Sequence, residues 1–166
     1  MDTLIVITAK YALFVSLVIT AYVWLRLPRR QKWEFVVWAF LGGAIALALV
    51  KLGGALYVDQ RPFVIHHIAP LFPHAADNGF PSDHMVASMF LAVCVLFYSR
   101  RWGVVLVAIS LLVGVTRIAA HVHRPIDILG GIAIAVTAAL IARPAARWLT
   151  RRWPVAATAT QVSEED

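Results

Sequence analysis

Three short stretches of the chain carry side chains that can do chemistry at useful spacings. The first is Thr116-Arg117, five further residues, His123, three further residues, then Asp127. His123 and Asp127 stand four apart, a spacing that brings side chains to one face of a helix. Pro125 between them suits a first helical position, which sets His123 just ahead of the helix and Asp127 in its first turn. A carboxylate there can accept from one imidazole nitrogen, fix the tautomer and leave the other nitrogen as a nucleophile. Arg117 adds a forked, permanent cation matched to phosphate oxygens. The second stretch is Gly79-Phe80-Pro81-Ser82-Asp83-His84. Ser82 reads as an N-cap after a loop, so the amides that follow it face outward at a positive helix end, where anions bind. His84 in that first turn could hand a proton to a leaving oxygen. The third stretch is Lys51 and, after nine intervening residues, Arg61-Pro62-Phe63. Pro62 biases Arg61 toward an extended backbone, as in a loop leaving a helix.

Each stretch also has a plain reading. A histidine and an aspartate at a helix start can be an interfacial ion pair, a capped helix can carry an interfacial histidine, and Lys51 and Arg61 can be snorkelling anchors. Taken together they specify more. A histidine with its carboxylate, a second histidine, three cations and an anion-ready helix start suit phosphoryl transfer through a phosphohistidine, with cations and amides stabilising the moving charge.

The elements that position these groups follow from composition. Of the 166 residues 61% are hydrophobic and 14% charged, with a mean hydropathy of +0.77. A soluble domain runs nearer half apolar and a quarter charged. The single cysteine, Cys94, excludes a disulfide-stapled domain and reads as a packing residue in an apolar run. Five stretches are apolar enough to cross a bilayer: about Leu4 to Leu27, Glu34 to Tyr57, Ser82 to Tyr98, Gly103 to Ala120, and Ile126 to Leu140 or beyond. Lipid offers no partner to open backbone groups, so the expected fold is all-α, a single-domain (1–166) membrane bundle of about five helices. The first span is too long for a cleaved signal peptide, and Lys10 within it can snorkel to the interface. The acidic tail within 154–166 reads as solvated.

Arg26, Arg29, Arg30, Lys32, Arg100, Arg101, Arg143, Arg147, Arg151 and Arg152 all fall at one end of a five-span bundle, the end that the distribution of cations marks as cytoplasmic. Trp24, Trp33, Trp102, Trp148 and Trp153 fall at the same level, as an aromatic belt does. Ten of the fifteen cations thus serve orientation, and a nucleic-acid surface is not needed to explain the +6 net charge. Lys51, Arg61, Arg117 and Arg124, all six histidines, and Asp59, Asp77, Asp83 and Asp127 collect at the opposite, outer end. Ionisable groups at membrane depth are costly and usually functional.

These residues resemble the type 2 phosphatidic acid phosphatase superfamily. Its signature runs Lys, six residues, Arg-Pro; then Pro-Ser-x-His; then Ser-Arg, five residues, His, three residues, Asp. Arg61-Pro62, Pro81-Ser82-Asp83-His84, and Arg117, His123 and Asp127 fit it, over a region from 51 to 127. Two departures stand out: Lys51 is three residues farther from Arg61 than the pattern has it, and Thr116 replaces a serine. The resemblance implies His123 as nucleophile, Asp127 as its orienting partner and His84 as general acid. It implies a phosphate cradle of Arg61, Ser82, Arg117 and Lys51, with backbone amides near Asp83, and chemistry that needs no metal or other cofactor. Asp83, where many members carry glycine, together with the short chain, resembles the bacterial undecaprenyl-diphosphatases of the bacitracin-resistance type. That implies a polyprenyl diphosphate substrate dephosphorylated at the outer face of the plasma membrane.

Two other readings stay open on sequence alone: a phosphatase of another lipid, such as phosphatidylglycerol phosphate or phosphatidic acid, and a metal-binding transporter using His121, His123, His66 and His67. His66, His67, His74 and Asp77 receive no role, His74 reads as interfacial or solvated, and Asp59 is placed to balance Arg61. Oligomeric state is not legible.

Overall fold

The computed structural model describes residues 2–152, and Trp153 and the acidic tail lie outside them. It is an all-α bundle of six helices: α1 (Asp2–Arg26), α2 (Arg29–Leu56), the short α3 (Pro62–Ile65), α4 (Asp83–Leu96), α5 (Arg100–Ala119) and α6 (Pro125–Arg152). Four of them, α1, α2, α5 and α6, are long and apolar enough to cross a membrane. Leu4, Phe14, Val18, Phe40, Val115, Leu129 and Ile141 stand exposed around the bundle, which in water would be an untenable apolar surface and in lipid is the expected one. The chain is a multi-pass membrane protein.

The remaining expected span differs in length. α4 has 14 residues, about 21 Å at a rise of ~1.5 Å per residue, against ~30 Å of hydrocarbon. It can be short because protein, not lipid, surrounds it. Nine of its residues are buried, and it touches α1, α2, α5 and α6. It is the axis of the bundle, and its first turn is therefore held on several sides.

Small residues set how closely the helices approach α4. Ala135, Ala138, Ala139, Ala142 and Ala146 form the buried face of α6, the kind of stripe that lets membrane helices pack backbone to backbone. Trp38 on α2 is fully buried and donates its indole N–H to the Ala139 carbonyl at 2.8 Å. At the end of α6 that carries Asp127, a Cβ on Gly130 would collide with the Phe80 ring, and one on Gly131 would lie 2.9 Å from Met85 Cβ. Phe80 is the residue before Pro81-Ser82, so this contact seats the loop that delivers α4. Gly130→Ala is expected to cost about 1–3 kcal/mol, the usual range for overpacking, and to lower turnover by displacing the start of α4. Thermal unfolding and phosphate release measured on the same sample check this.

The two ends of the bundle differ as the charge pattern requires. At one end Glu34 accepts from Arg147 at 3.2 Å and from Tyr98 at 3.3 Å, and Trp24 donates to the Lys32 carbonyl. Arg26, Arg29, Arg30, Arg100 and Arg101 lie at the helix ends that meet there. The other end holds the segment 57–82, tied to the α5–α6 turn where Phe63 donates to the His121 carbonyl and Leu71 to that of Ala120. Lys10 reaches from α1 to this end, its ammonium 5.2 Å from the Phe72 ring centroid.

Candidate active site

His123 lies in the turn between α5 and α6 and is 3% exposed. Pro125 does begin α6, which places Asp127, itself fully buried, in the first turn. His123 Nδ1 is 3.3 Å from Asp127 Oδ2. The same oxygen accepts the Arg124 amide at 2.7 Å, so the carboxylate is fixed by backbone before it meets the imidazole. A proton held on Nδ1 by Asp127 leaves the lone pair on Nε2.

Two guanidiniums bracket that nitrogen. Arg61 Nη1 and Arg117 Nη2 each lie 3.4 Å from His123 Nε2. Arg61 takes the extended backbone that Pro62 favours and ends the loop before α3. It donates to Asp77 Oδ1 through Nε at 2.9 Å, to the Val122 carbonyl at 2.8 Å and to the Asn78 carbonyl at 3.3 Å. Arg117 is different. It is 3% exposed, and among the described residues no carboxylate lies within ion-pair distance and its Nε has no partner. Its remaining contacts are long ones, to the Ala9 carbonyl at 3.4 Å and to His74 Nε2 at 3.5 Å. A buried cation without a counter-charge is strongly unfavourable, so this is a place built for an anion.

Ser82 caps α4 by position but not by hydrogen bond. Its side chain makes no cap contact, and its hydroxyl is buried without a partner. Unpartnered buried polar atoms thus gather here: Ser82 Oγ, Arg117 Nε and Asp127 Oδ1. The first-turn amides of α4 have no helical acceptor, as geometry dictates. His84 is half-buried and feels the charges of Arg117, His123 and His74, and Asp83 feels that of Arg117. Asp83 also lines an apolar groove of about 470 Å³ between α1, α2 and α4, with Leu13, Leu17, Leu47, Phe90 and Leu91 along its length.

Lys51 is not drawn into this group. It is exposed on α2 and makes no ion pair or hydrogen bond among the described residues. Gly54, with six residues between it and Arg61, holds the signature's lysine position instead, and a Cβ there would lie 3.3 Å from the Phe80 carbonyl oxygen and 3.6 Å from Asn78 Nδ2. The three-residue shift of the lysine leaves its place at the site to a residue without a side chain.

The structure also adds residues that the spacing did not reveal. Asp77, not Asp59, balances Arg61, at 2.8 Å. Asp59, buried, pairs with Arg124 at 2.6 Å. Asn78 stitches the loop: its oxygen accepts the Asp59 and Phe80 amides and its nitrogen donates to the Gly54 and Tyr57 carbonyls. His74 is not a solvated residue but lies against the site, its ring 6.1 Å from that of His123 and 5.9 Å from that of Phe72. The only signal for these was their crowding between two signature stretches. Among the described residues no three of His, Cys, Asp and Glu gather as a metal cluster, and His121, in the left-handed region at φ 62°, is exposed.

The electrostatics around His123 and His74 favour the neutral ring. Burial pushes His123 below its ordinary 6.5, the Asp127 hydrogen bond opposes this, and the charges of Arg117 and Arg61 lower it further. Burial, then Arg61 and Arg117, push His74 down to about 4. Desolvation raises the Asp77 carboxyl, but the Arg61 hydrogen bond and charge outweigh it and hold Asp77 below its usual value. If His123 must be neutral to react, activity is lost only where it protonates. The acid limb of kcat/KM is therefore expected below pH 6.5, with activity rising with pH through that limb. A profile of phosphate release against pH checks this, and a limb well above 6.5 contradicts it.

An all-α membrane bundle with a histidine–carboxylate pair under two guanidiniums defines the class, one built to hold an anion at the end of a lipid-facing fold. The chain belongs to the PAP2 superfamily, whose profile matches residues 35–151. Undecaprenyl-diphosphatase BcrC of Bacillus subtilis (strain 168) is 35% identical over 136 residues, 82% of this chain and 70% of that protein. The bacitracin transport permease protein BcrC of Bacillus licheniformis is 28% identical over 134 residues, 80% of this chain and 65% of that protein. The crystal structure of Aquifex aeolicus LpxE shares the fold, with a TM-score of 0.63 at 21% identity over 85% of this chain and 84% of that one.

Proposed function

We propose that the protein is an undecaprenyl-diphosphate phosphatase that removes the terminal phosphate of the lipid carrier through a phosphohistidine, with its site facing the exterior. The observation that carries the reading is Arg117, a buried guanidinium without a carboxylate, 3.4 Å from the one nitrogen of His123 left free to attack. The groove that begins at Asp83 has the apolar walls an isoprenoid chain needs, and the name of the Bacillus subtilis relative supports the diphosphate.

In the first step His123 Nε2 forms a bond to the terminal phosphorus. The bond from that phosphorus to the bridging oxygen breaks, and His84 gives a proton to the oxygen that leaves with the lipid monophosphate. In the second step water attacks the phosphohistidine, His84 takes its proton, and inorganic phosphate departs. Arg61, Arg117, the Ser82 hydroxyl and the first amides of α4 hold the equatorial oxygens, where developing charge is best stabilised by groups already in place. Asp127 holds the Nδ1 proton throughout. Lys51 stands outside this set.

Purified protein assayed on undecaprenyl diphosphate, phosphatidylglycerol phosphate and phosphatidic acid, with and without chelator, tests the reading. Undecaprenyl diphosphate is expected to lead in kcat/KM by at least about tenfold, some 1.4 kcal/mol of discrimination, with no effect of chelator. Preference for either phospholipid would keep the chemistry and change the substrate. Stoichiometric zinc with no phosphate released would overturn both.

A further inference from the structure

At the end of the bundle opposite the histidines, a second cavity of about 400 Å³ lies along the last turns of α6, lined by Arg143, Arg147, Arg151, Phe97, Leu140 and Trp148. We propose that it binds the headgroup of an anionic phospholipid of the surrounding bilayer, one whose headgroup carries hydroxyls, as phosphatidylglycerol does. This does not depend on the phosphatase reading.

The three arginines stand four residues apart and stack along one helix face. Like charges at that spacing repel, so the arrangement needs an anion to be favourable. Among the described residues one carboxylate meets this face, Glu34, which Arg147 reaches at 3.2 Å and Tyr98 shares. That leaves two guanidiniums of the face unmatched among the described residues. Membrane orientation explains cations in solvent at this end. It does not explain Arg143, whose guanidinium carbon lies 3.7 Å from the Phe97 ring centroid and 5.5 Å from that of Trp38, with its Nε buried and unpartnered. A guanidinium held over an aromatic ring keeps its place, and its remaining N–H groups are a ready fork for phosphate oxygens.

The rest of the cavity fits a lipid and not free phosphate. Leu140 and, beside it, Ile141 are exposed on α6 toward the bilayer, a path for an acyl chain leaving the cavity. Trp148 is 54% exposed at the level where indoles meet headgroups. Pro144 lies in the cavity wall inside α6, and a proline has no N–H to give to the carbonyl four residues back. The Leu140 carbonyl is thus available to a donor, which a glycerol hydroxyl can be and a choline cannot. Basic recesses between helices at the cytoplasmic level are where anionic headgroups dock.

Native mass spectrometry of the full chain in detergent, titrated with phosphatidylglycerol, phosphatidylcholine and inorganic phosphate, tests this. Phosphatidylglycerol is expected to bind at least about tenfold tighter than phosphatidylcholine. The double variant Arg147→Gln/Arg151→Gln should lose that preference, while Arg29→Gln/Arg30→Gln, equal in charge removed at the same level, should keep it. Glu34→Gln, which frees Arg147, should strengthen binding severalfold. Equal binding of the two lipids, or loss of preference in the Arg29/Arg30 variant, would overturn the proposal. So would phosphate competing as well as lipid, or a chain cut after Pro154 binding the lipid tenfold better, which would make the acidic tail the occupant.

Discussion

Replacing His123 with alanine is expected to lower turnover of undecaprenyl diphosphate by at least about 10⁴-fold, the scale on which losing a nucleophile acts, or about 5 kcal/mol of barrier. Substrate affinity should change far less. Arg61 keeps its bonds to Asp77, to the Val122 carbonyl and to the Asn78 carbonyl without the imidazole, and Arg117 keeps its unbalanced charge. The phosphate cradle therefore survives the substitution. The fold should survive as well, because the imidazole makes one 3.3 Å contact to Asp127 and otherwise faces the two guanidiniums and the edge of the His74 ring. Three measurements on one preparation separate the outcomes. Phosphate release should fall to background, lipid binding should persist within about tenfold, and the acid-labile phosphoenzyme trapped from the wild type should vanish. Turnover within tenfold of wild type would sink the phosphohistidine mechanism, whatever the binding.

Much of this site could be read from spacing because its parts are local. His123 and Asp127 are four residues apart, and Ser82 and His84 share one helix start, so chain geometry alone nearly places them. Arg117 is legible for the same reason, six residues before His123 near the end of its helix. The partners of Arg61 were not legible, since Asp59 and Asp77 flank it in a long loop and only the fold of that loop decides between them. Asn78 decides it, by binding the amides of Asp59 and Phe80 together and turning Asp59 toward Arg124. His74 was missed because a lone histidine in a polar loop carries no period or partner to distinguish it from a solvated one. Five apolar stretches gave the bundle, but not that one of them would be its axis. α4 is the most apolar of the long helices, but an apolar run suits lipid as well as protein, so the sequence does not record that four neighbouring helices surround it and let it be short. Lys51 shows the reverse limit. Its residue type fits the signature, but a helix turn separates it from the position that faces the site, and position outweighs type.

Asp127→Asn is expected to be the second most damaging change, with turnover down by about 10²- to 10⁴-fold, as when the carboxylate that orients a catalytic histidine becomes an amide. Asparagine has the same shape, so a packing account predicts little. The loss comes from charge and tautomer. Asp127 Oδ2 accepts from the Arg124 amide at 2.7 Å and faces His123 Nδ1 at 3.3 Å. An amide that turns its nitrogen toward the imidazole would ask Nδ1 to accept, moving the proton to Nε2 and removing the attacking lone pair. An amide that keeps its oxygen there preserves the tautomer, but it leaves an NH₂ where Oδ1 is buried without a partner, at a cost of about 1–3 kcal/mol, and it removes the anion that steadies the phosphorylated ring. The pH profile distinguishes this from mere loosening of the fold. Asp127 raises the His123 pKa by hydrogen bond and by charge. The variant's acid limb should therefore move to lower pH even as its maximum falls, whereas a structural lesion would lower the whole profile in place. Glutamate should rescue poorly, because Asp127 is fully buried and its Oδ2 is already seated against the Arg124 amide at 2.7 Å and His123 Nδ1 at 3.3 Å, and another methylene would push the carboxylate off both. A variant that keeps near wild-type turnover, or one whose limb moves upward, would mean that Asp127 shapes the turn but takes no part in steering the imidazole.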